Sequence, residues 1–311
     1  MKIVSFFSGI GGLDQGFIDA GYNVIWANDF DKYAVQTYKA NYENEIVLGD
    51  INEIPLDEIP DCDVLIGGFP CQAFSMMGEQ RGFEDARGTL FFRIAEVLKH
   101  KISIGKKPKA VVLENVRALR THDNGKTFAT IKRILEEDLG YKVYVDVLNS
   151  ADYGVPQTRN RTYIVCFSNA DAEFSYPEKV VLNKTLQDEL EHGVDDKYFL
   201  SEKILPTILS NGTGGYNAKS EIDLKIARPL CATMAKMHRA CQDNYVTQDG
   251  RVRRLTPREC ARLQGFKDDF KIPVSDSQAY KQFGNAVTIN VSRAVAFAVK
   301  NTLQELGEWI E

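Results

Sequence analysis

Ile3-Val4-Ser5-Phe6-Phe7-Ser8-Gly9-Ile10-Gly11-Gly12 runs from an apolar, strand-like stretch (Ile3–Phe7) directly into glycines, and a helical pattern follows over Gly12–Ala20. Glycines at a strand-to-helix turn let the backbone approach a ligand closely, and the helix N-terminus favours that ligand's negative groups. Working outward, Val24–Ala27 reads as a second strand and Lys32–Ala40 as a second helix. Val64–Ile66 and Ala110–Leu113 are short apolar runs suited to buried strands. Between them Leu90–His100, apolar at 90, 91, 94, 95, 97 and 98, suits a helix packed on one face. A helix around Phe128–Leu139 precedes two closing strands, Tyr141–Leu148 and Arg161–Phe167, joined by a turn through Gly154-Val155-Pro156. Strands alternating with helices specify an α/β fold with a Rossmann-like, mostly parallel sheet covered on both faces.

The glycine turn is an imperfect dinucleotide fingerprint. Gly9 and Gly11 are followed directly by Gly12, and the next glycine is Gly16. Asp29 ends the second strand and can accept hydrogen bonds from ribose hydroxyls, while Phe30 beside it offers a ring to an adenine.

After about Phe174 the periodicity weakens through a Gly-rich turn, Asn211–Gly215, and a run rich in Arg, His and Asn. The helical pattern returns at Pro257–Leu263 and ends in a long helix, Ala286–Leu303. The expected organisation is a catalytic domain over 1–174, a smaller domain over 175–252, and a segment, 253–311, returning to the first. The net charge of −5 speaks against a nucleic-acid partner until its distribution is considered. Residues 225–262 hold nine Lys or Arg against three acids, leaving the remainder of the chain at −11. A basic face on an acidic body suits phosphate contacts.

No apolar run approaches the roughly 20 residues that span a membrane, and the N-terminus lacks a signal-peptide pattern, so a cytoplasmic protein is expected. Six cysteines are scattered without a C-x-x-C pair and only four histidines are present, so no metal site is expected.

One cysteine stands apart. Gly67-Gly68-Phe69-Pro70-Cys71-Gln72 follows the strand at 64–66, so Cys71 falls on a loop at the carboxyl edge of the sheet, where open α/β sheets bind ligands. Reactive cysteines need such partial exposure. Glu114-Asn115-Val116 follows the strand at 110–113 and brings a carboxylate to the same edge. Gln157-Thr158-Arg159-Asn160-Arg161 follows the turn at Gly154, and its two arginines present guanidinium donors to an oxygen or phosphate.

Taken in order, Phe7–Gly12, Asn28-Asp29-Phe30, Gly49-Asp50-Ile51, Phe69-Pro70-Cys71-Gln72, Arg87-Gly88-Thr89-Leu90, Glu114-Asn115-Val116, Gln157–Arg161 and Gln282–Val287 resemble the DNA cytosine-5 methyltransferase family of bacterial restriction–modification systems, in particular its HhaI-like members. The resemblance spans residues 3–170 and 252–300. Phe69 stands where many members carry a second proline, and Ser5 where Asp is frequent.

The resemblance implies an S-adenosylmethionine-dependent methyltransferase fold with a target-recognition domain, acting on double-stranded DNA. Phe7, Gly9, Ile10, Gly11, Gly12, Asp29, Phe30, Asp50, Ile51, Pro70, Leu90 and Asn285 would surround S-adenosyl-L-methionine, with Asp29 on the ribose, Phe30 on the adenine face and Asp50 on the adenine amino group. Cys71 would attack C6 of a flipped-out cytosine, with Glu114, Arg159 and Arg161 as its catalytic companions. Glu114 at N3 would need a proton to share, hence a raised pKa. Lys236, His238, Arg239, Arg251, Arg253 and Arg254 are the candidate DNA contacts. A monomer and a cognate restriction endonuclease are implied by the family alone. Three other readings stay open at this point: a tRNA cytosine-5 methyltransferase, a nicotinamide-dependent dehydrogenase, and a DNA-binding relative without activity.

Overall fold

The computed structural model describes residues 1–69, 90–211, 219–236 and 239–309. In chain order it forms β1 (Lys2–Phe6), α1 (Gly12–Asp19), β2 (Asn23–Asp29), α2 (Lys32–Asn41), β3 (Glu45–Leu48), β4 (Val64–Gly68), α3 (Leu90–Ser103), β5 (Ala110–Val116), α4 (Lys126–Arg133), β6 (Lys142–Asn149) and β7 (Asn160–Phe167). There follow α5 (Leu205–Ile208), β8 (Tyr245–Gln248), β9 (Arg251–Arg254), α6 (Pro257–Arg262), α7 (Asp276–Asn285) and α8 (Ile289–Glu305). No helix of the described residues is long and apolar enough to cross a membrane, and no group of His, Cys, Asp or Glu among them is arranged to hold a metal.

Two compact units result. The first comprises Met1–Leu148, Asn160–Glu178 and the chain from Val291 onward; the second comprises Asn149–Arg159 and Lys179–Asn290. The second unit is therefore larger than the 175–252 segment expected from sequence, because the turn at 149–159 and the helices α6 and α7 fold with it.

The first unit is built on a seven-stranded sheet in the order β3-β2-β1-β4-β5-β7-β6. β1 pairs in parallel with β2 and β4, β4 with β5, and β2 with β3, whereas β7 runs antiparallel to β5. Ile3, Val4, Leu65, Ile66, Val111 and Val112 are fully buried, which explains their reading as continuous apolar runs rather than alternating ones. α3 lays Phe91, Ile94 and Leu98 on this core. The strand order reverses between β1 and β4, so the crevice beyond their carboxyl ends is the expected ligand site of such a sheet. The long helix begins at Ile289 rather than Ala286, after the separate helix α7.

α8 closes the first unit against α1. A Cβ on Gly16 would come within 2.3 Å of Ser292 Oγ and 2.4 Å of the Arg293 backbone nitrogen, so only glycine admits this approach. Ser292 Oγ donates to Leu13 O at 2.6 Å, satisfying a carbonyl inside the contact.

The second unit carries a small hairpin, β8–β9. Its tip, Asp249-Gly250, has φ of 52° and 74°, the left-handed pair that a two-residue turn of this hand requires. Ile208, Ala240 and Tyr245 form a core beside it. Thr256 caps α6 through the Glu259 backbone N–H, and Glu259 reaches back to the Thr256 N–H.

Candidate active site

The loop after β1 turns through left-handed backbone at Phe7 (φ 54°), Gly9 (φ 56°) and Gly11 (φ 85°). A bulky residue such as Phe7 adopts this region at a cost of order 1–3 kcal/mol, and such strain concentrates at functional sites. Gly11 is fixed by space as well, since a Cβ there would lie 2.4 Å from the Tyr42 ring. Gly9 is different: among the described residues, a Cβ on it meets nothing within 4 Å. Gly12 begins α1 and Ile10 is buried.

β2 holds this loop from the side. Asp29, buried at its carboxyl end, accepts from Gly9 N at 2.8 Å and from Asp31 N at 2.8 Å. Asn28 donates through Nδ2 to Val47 O and Gly49 O, both at 3.0 Å, and thereby ties down the loop after β3. On that loop Asp50 is exposed, with Oδ1 accepting from Asn52 N and Nδ2, while Ile51 is buried in the core. Among the described residues a Cβ on Gly49 also meets nothing within 4 Å. Phe30 leaves 69% of its surface exposed. Leu90, half-buried, opens α3.

Beneath the glycine loop lies a polar network. Ser8 Oγ donates to Ser5 O, Ser5 Oγ donates to Asp14 Oδ1 at 2.7 Å, and Tyr38 OH donates to Asp14 Oδ2 at 2.6 Å. Burial pushes Asp14 up to about 6, against the pull of those hydroxyl donors. The sequence reading missed Asn28, Asp14 and Tyr38 as supports. Asn28 had a signal, its place beside Asp29 in a quoted motif.

The second cluster lies at the carboxyl end of β4 and β5. Gly68 pairs with Glu114 in the parallel ladder, and Asn115 Nδ2 donates to Phe69 O at 2.8 Å. The segment leading to Cys71 is thus pinned beside Glu114 as far as Phe69. Strand β5 does not stop at Leu113 as expected but continues to Val116, because β7 pairs with it up to Val116↔Arg161. Arg161 is then a diagonal cross-strand neighbour of Glu114, and its Nε lies 3.0 Å from Glu114 Oε1. Glu114 is buried, 7% exposed. Pro70, Cys71 and His238 lie outside the described residues.

Several predicted residues have other occupations. Arg159 does not present its guanidinium jointly with Arg161. It is 2% exposed and donates to Leu230 O (3.0 Å), Gly284 O (3.0 Å) and Ala286 O (2.9 Å) within the second unit. Arg253, expected to contact DNA, is fully buried and forks onto Glu259 at 2.8 and 2.6 Å. Arg251 is exposed, 2.8 Å from Asp196 Oδ1 and stacked on the Phe199 ring. Lys236 and Arg239 are exposed, Arg254 is half-buried, and Asn285 ends α7 with its surface exposed. Among the other cysteines, burial raises Cys62 to about 12 and pushes Cys166 and Cys260 upward, which keeps these thiols protonated and inert.

A profile of C-5 cytosine-specific DNA methylases matches residues 1–301. The chain belongs to that family. This methylase is 41% identical to the type II methyltransferase M.NlaX of Neisseria lactamica, over 99% of this chain and 98% of the relative. It is 38% identical to the type II methyltransferase M.HhaI of Haemophilus parahaemolyticus, over 97% of this chain and 95% of that one. Among solved structures, the Dnmt2 methyltransferase of S. pombe shares its fold with a TM-score of 0.79 at 20% identity, covering 98% and 99% of the two chains. The methylase is therefore an enzyme that transfers a methyl group to C5 of cytosine in DNA. The dehydrogenase and non-enzymatic readings fall with that assignment, and the relatives do not support the tRNA reading.

Proposed function

We propose that the methyl donor is S-adenosyl-L-methionine, held at the carboxyl ends of β1, β2 and β3, and that Cys71 is the nucleophile which activates the cytosine. The observation that carries this reading is the convergence at one sheet edge. A left-handed glycine turn, a buried Asp29 carboxylate and an exposed Phe30 ring stand after β1 and β2, while Glu114 and Arg161 stand beside the segment leading to Cys71.

These residues fit a nucleoside. Asp29 has an oxygen on Gly9 N and lies where ribose hydroxyls can donate to it; Phe30 offers a flat apolar face; Asp50 accepts from an amino group. S-adenosylmethionine supplies, when bound, a methyl group on a sulfonium. The chain must make the other partner reactive, because C5 of cytosine is a poor nucleophile. Attack of the Cys71 thiolate on C6 turns the ring into an enamine-like species that is nucleophilic at C5. Glu114 shares a proton with N3 as charge enters the ring, and Arg161 orients the base by donating to O2. Once C5 carries the methyl group, loss of its remaining proton to a base restores the C5–C6 double bond and breaks the bond to Cys71. A duplex cannot offer C6 in this way, so the cytosine is flipped out of the stack.

Arg159 serves this chemistry as a brace for the backbone at Leu230, Gly284 and Ala286. Target recognition falls to the second unit, with Lys236, Arg239, Arg251 and Arg254 contacting the DNA backbone. The enzyme acts as a monomer, and it is the modification half of a restriction–modification pair, a reading in keeping with relatives named type II methyltransferases.

The test is transfer of label from S-adenosylmethionine to unmethylated duplex DNA or to tRNA, with Cys71→Ala alongside. Label recovered as 5-methylcytosine in DNA and lost in the variant is the expected result. Label in tRNA alone overturns the substrate, and full activity of the variant overturns the nucleophile.

A further inference from the structure

Arg93 lies on the flank of the apolar face of α3 and is nevertheless buried. Its neighbours Phe91, Ile94, Val97 and Leu98 are all buried, and Arg93 itself is only 8% exposed. A guanidinium is almost never buried unless every charge and donor has a destination. Here Nε donates to Ile51 O at 3.0 Å, Nη2 donates to Ile54 O, and Nη1 meets Glu96 Oε2 at 2.7 Å. Two of the three destinations are backbone carbonyls of one turn, the turn that begins with Asp50.

That turn is held from two directions. Asn28 fixes its entry through Val47 O and Gly49 O, and Gly49 N donates to Asp29 O at 3.1 Å. Between the two anchors the turn closes on itself: Glu53 N donates to Asp50 O, and Asn52 caps the Asp50 carboxylate. Without Arg93 the exit of the turn would lose both side-chain bonds to its carbonyls. Arg93 belongs to α3, and its guanidinium reaches the turn from the core side, so it acts through Asp50 and Ile51 rather than on a ligand.

We propose that Arg93 is the positioning residue for the adenine end of the cofactor site, setting the place of Asp50 and with it the preference for adenine over a purine that lacks the amino group. This rests on the reading of Asp50 and Ile51 as cofactor residues. The planar fork matters, because a lysine ammonium is a single point and cannot replace two guanidinium nitrogens on two carbonyls.

The experiment compares binding of S-adenosylhomocysteine and S-inosylhomocysteine to the wild type, Arg93→Lys and Arg93→Met by titration calorimetry, with KM and kcat for methyl transfer measured in parallel. Wild-type protein is expected to favour the adenosine compound. In Arg93→Met that affinity should fall about tenfold, the amount that about 1.4 kcal/mol of misplacement represents, and the preference over the inosine compound should shrink towards one. KM for the methyl donor should rise far more than kcat falls, and Arg93→Lys should lie between. A merely structural role would weaken both compounds equally, so an unchanged preference overturns the inference, as does wild-type affinity in Arg93→Met. If Arg93→Met fails to fold, Arg93→Lys decides by the same ratio. A wild-type protein that binds neither compound would instead overturn the cofactor reading itself.

Discussion

Each unit of the molecule contains a carboxylate–guanidinium pair, and the two pairs are built to opposite ends. In the second unit Arg253 and Glu259 are both fully buried, and every oxygen of Glu259 is committed. Oε1 accepts from Arg253 and from Glu191 N, Oε2 from Arg253 and from Thr256 N. In the first unit Arg161 approaches Glu114 through Nε at 3.0 Å, with the Arg161 side chain 20% exposed, at the carboxyl end of β5. The saturated pair leaves nothing for a substrate and holds a fold together. The Glu114–Arg161 pair is not sealed in, because the Arg161 side chain keeps a fifth of its surface exposed. Charge type alone does not distinguish them; their surroundings do.

The largest expected effect breaks the two apart by activity. Glu114→Gln should lower kcat by about 10²–10⁴, the range of general acid–base catalysis, and leave the melting temperature nearly unchanged. Glu259→Gln should do the reverse, because it leaves a buried guanidinium facing an amide. The expected cost is about 3–5 kcal/mol, read as a melting temperature lower by roughly 10 °C, with activity per folded molecule retained. Loss of activity in Glu259→Gln at a temperature where it remains folded would refute the division of labour.

A third buried carboxylate sharpens the contrast, since Asp14 is held by hydroxyl donors from Ser5 and Tyr38. Its carboxyl is raised from 3.8 to about 6, chiefly by burial. Between those values the folded protein keeps a proton that the unfolded chain has released. Stability therefore falls as pH rises through this window, and the contribution is gone above about pH 6. Measured against Asp14→Asn by denaturant titration, the wild type should lose up to about 3 kcal/mol of relative stability from pH 4 to pH 6.5. The variant is the needed reference, because Asp243 in the second unit is also raised to about 6 by burial and acts with the same sign. A pH-independent difference would show that Asp14 stays ionised in the fold.

The smallest effect concerns the neighbour of the saturated pair. Arg251→Ala removes an exposed ion pair to Asp196 and should change stability by less than about 1 kcal/mol. If Arg251 contacts a DNA phosphate, the same change reduces the salt dependence of DNA binding by about one ion. An unaltered salt slope would remove Arg251 from the DNA face.

The contrast also explains what the sequence made legible. Buried parallel strands announce themselves as apolar runs, so β1, β2, β4 and β5 were found, and the glycine loop, Asp29 and Glu114 followed from their ends. β3 was missed because Glu45-Ile46-Val47-Leu48 is a short edge strand with one buried residue. The hairpin β8–β9 had its turn signal in Asp249-Gly250, yet Arg251-Val252-Arg253-Arg254 reads as a solvated basic run. Nothing in that run says that Arg253 alone faces inward. The partner that buries it had a local sign, the Thr256–Glu259 capping box, but a capping glutamate does not disclose a second duty. Arg93 and Arg159 were opaque for the same reason. Their distant partners are backbone carbonyls, and carbonyls leave no trace in residue type.

The close approach at Gly16 has a consequence for synthesis. Leu13 O waits for Ser292, a residue 279 positions later, before its hydrogen bond can form. At roughly 5–20 residues per second, the ribosome takes on the order of 15–60 s to make the intervening chain. Throughout that interval the helix that carries the glycine turn is translated but unbacked, and the second unit emerges before the first is sealed. The nascent enzyme thus acquires its last packing surface only when α8 leaves the exit tunnel.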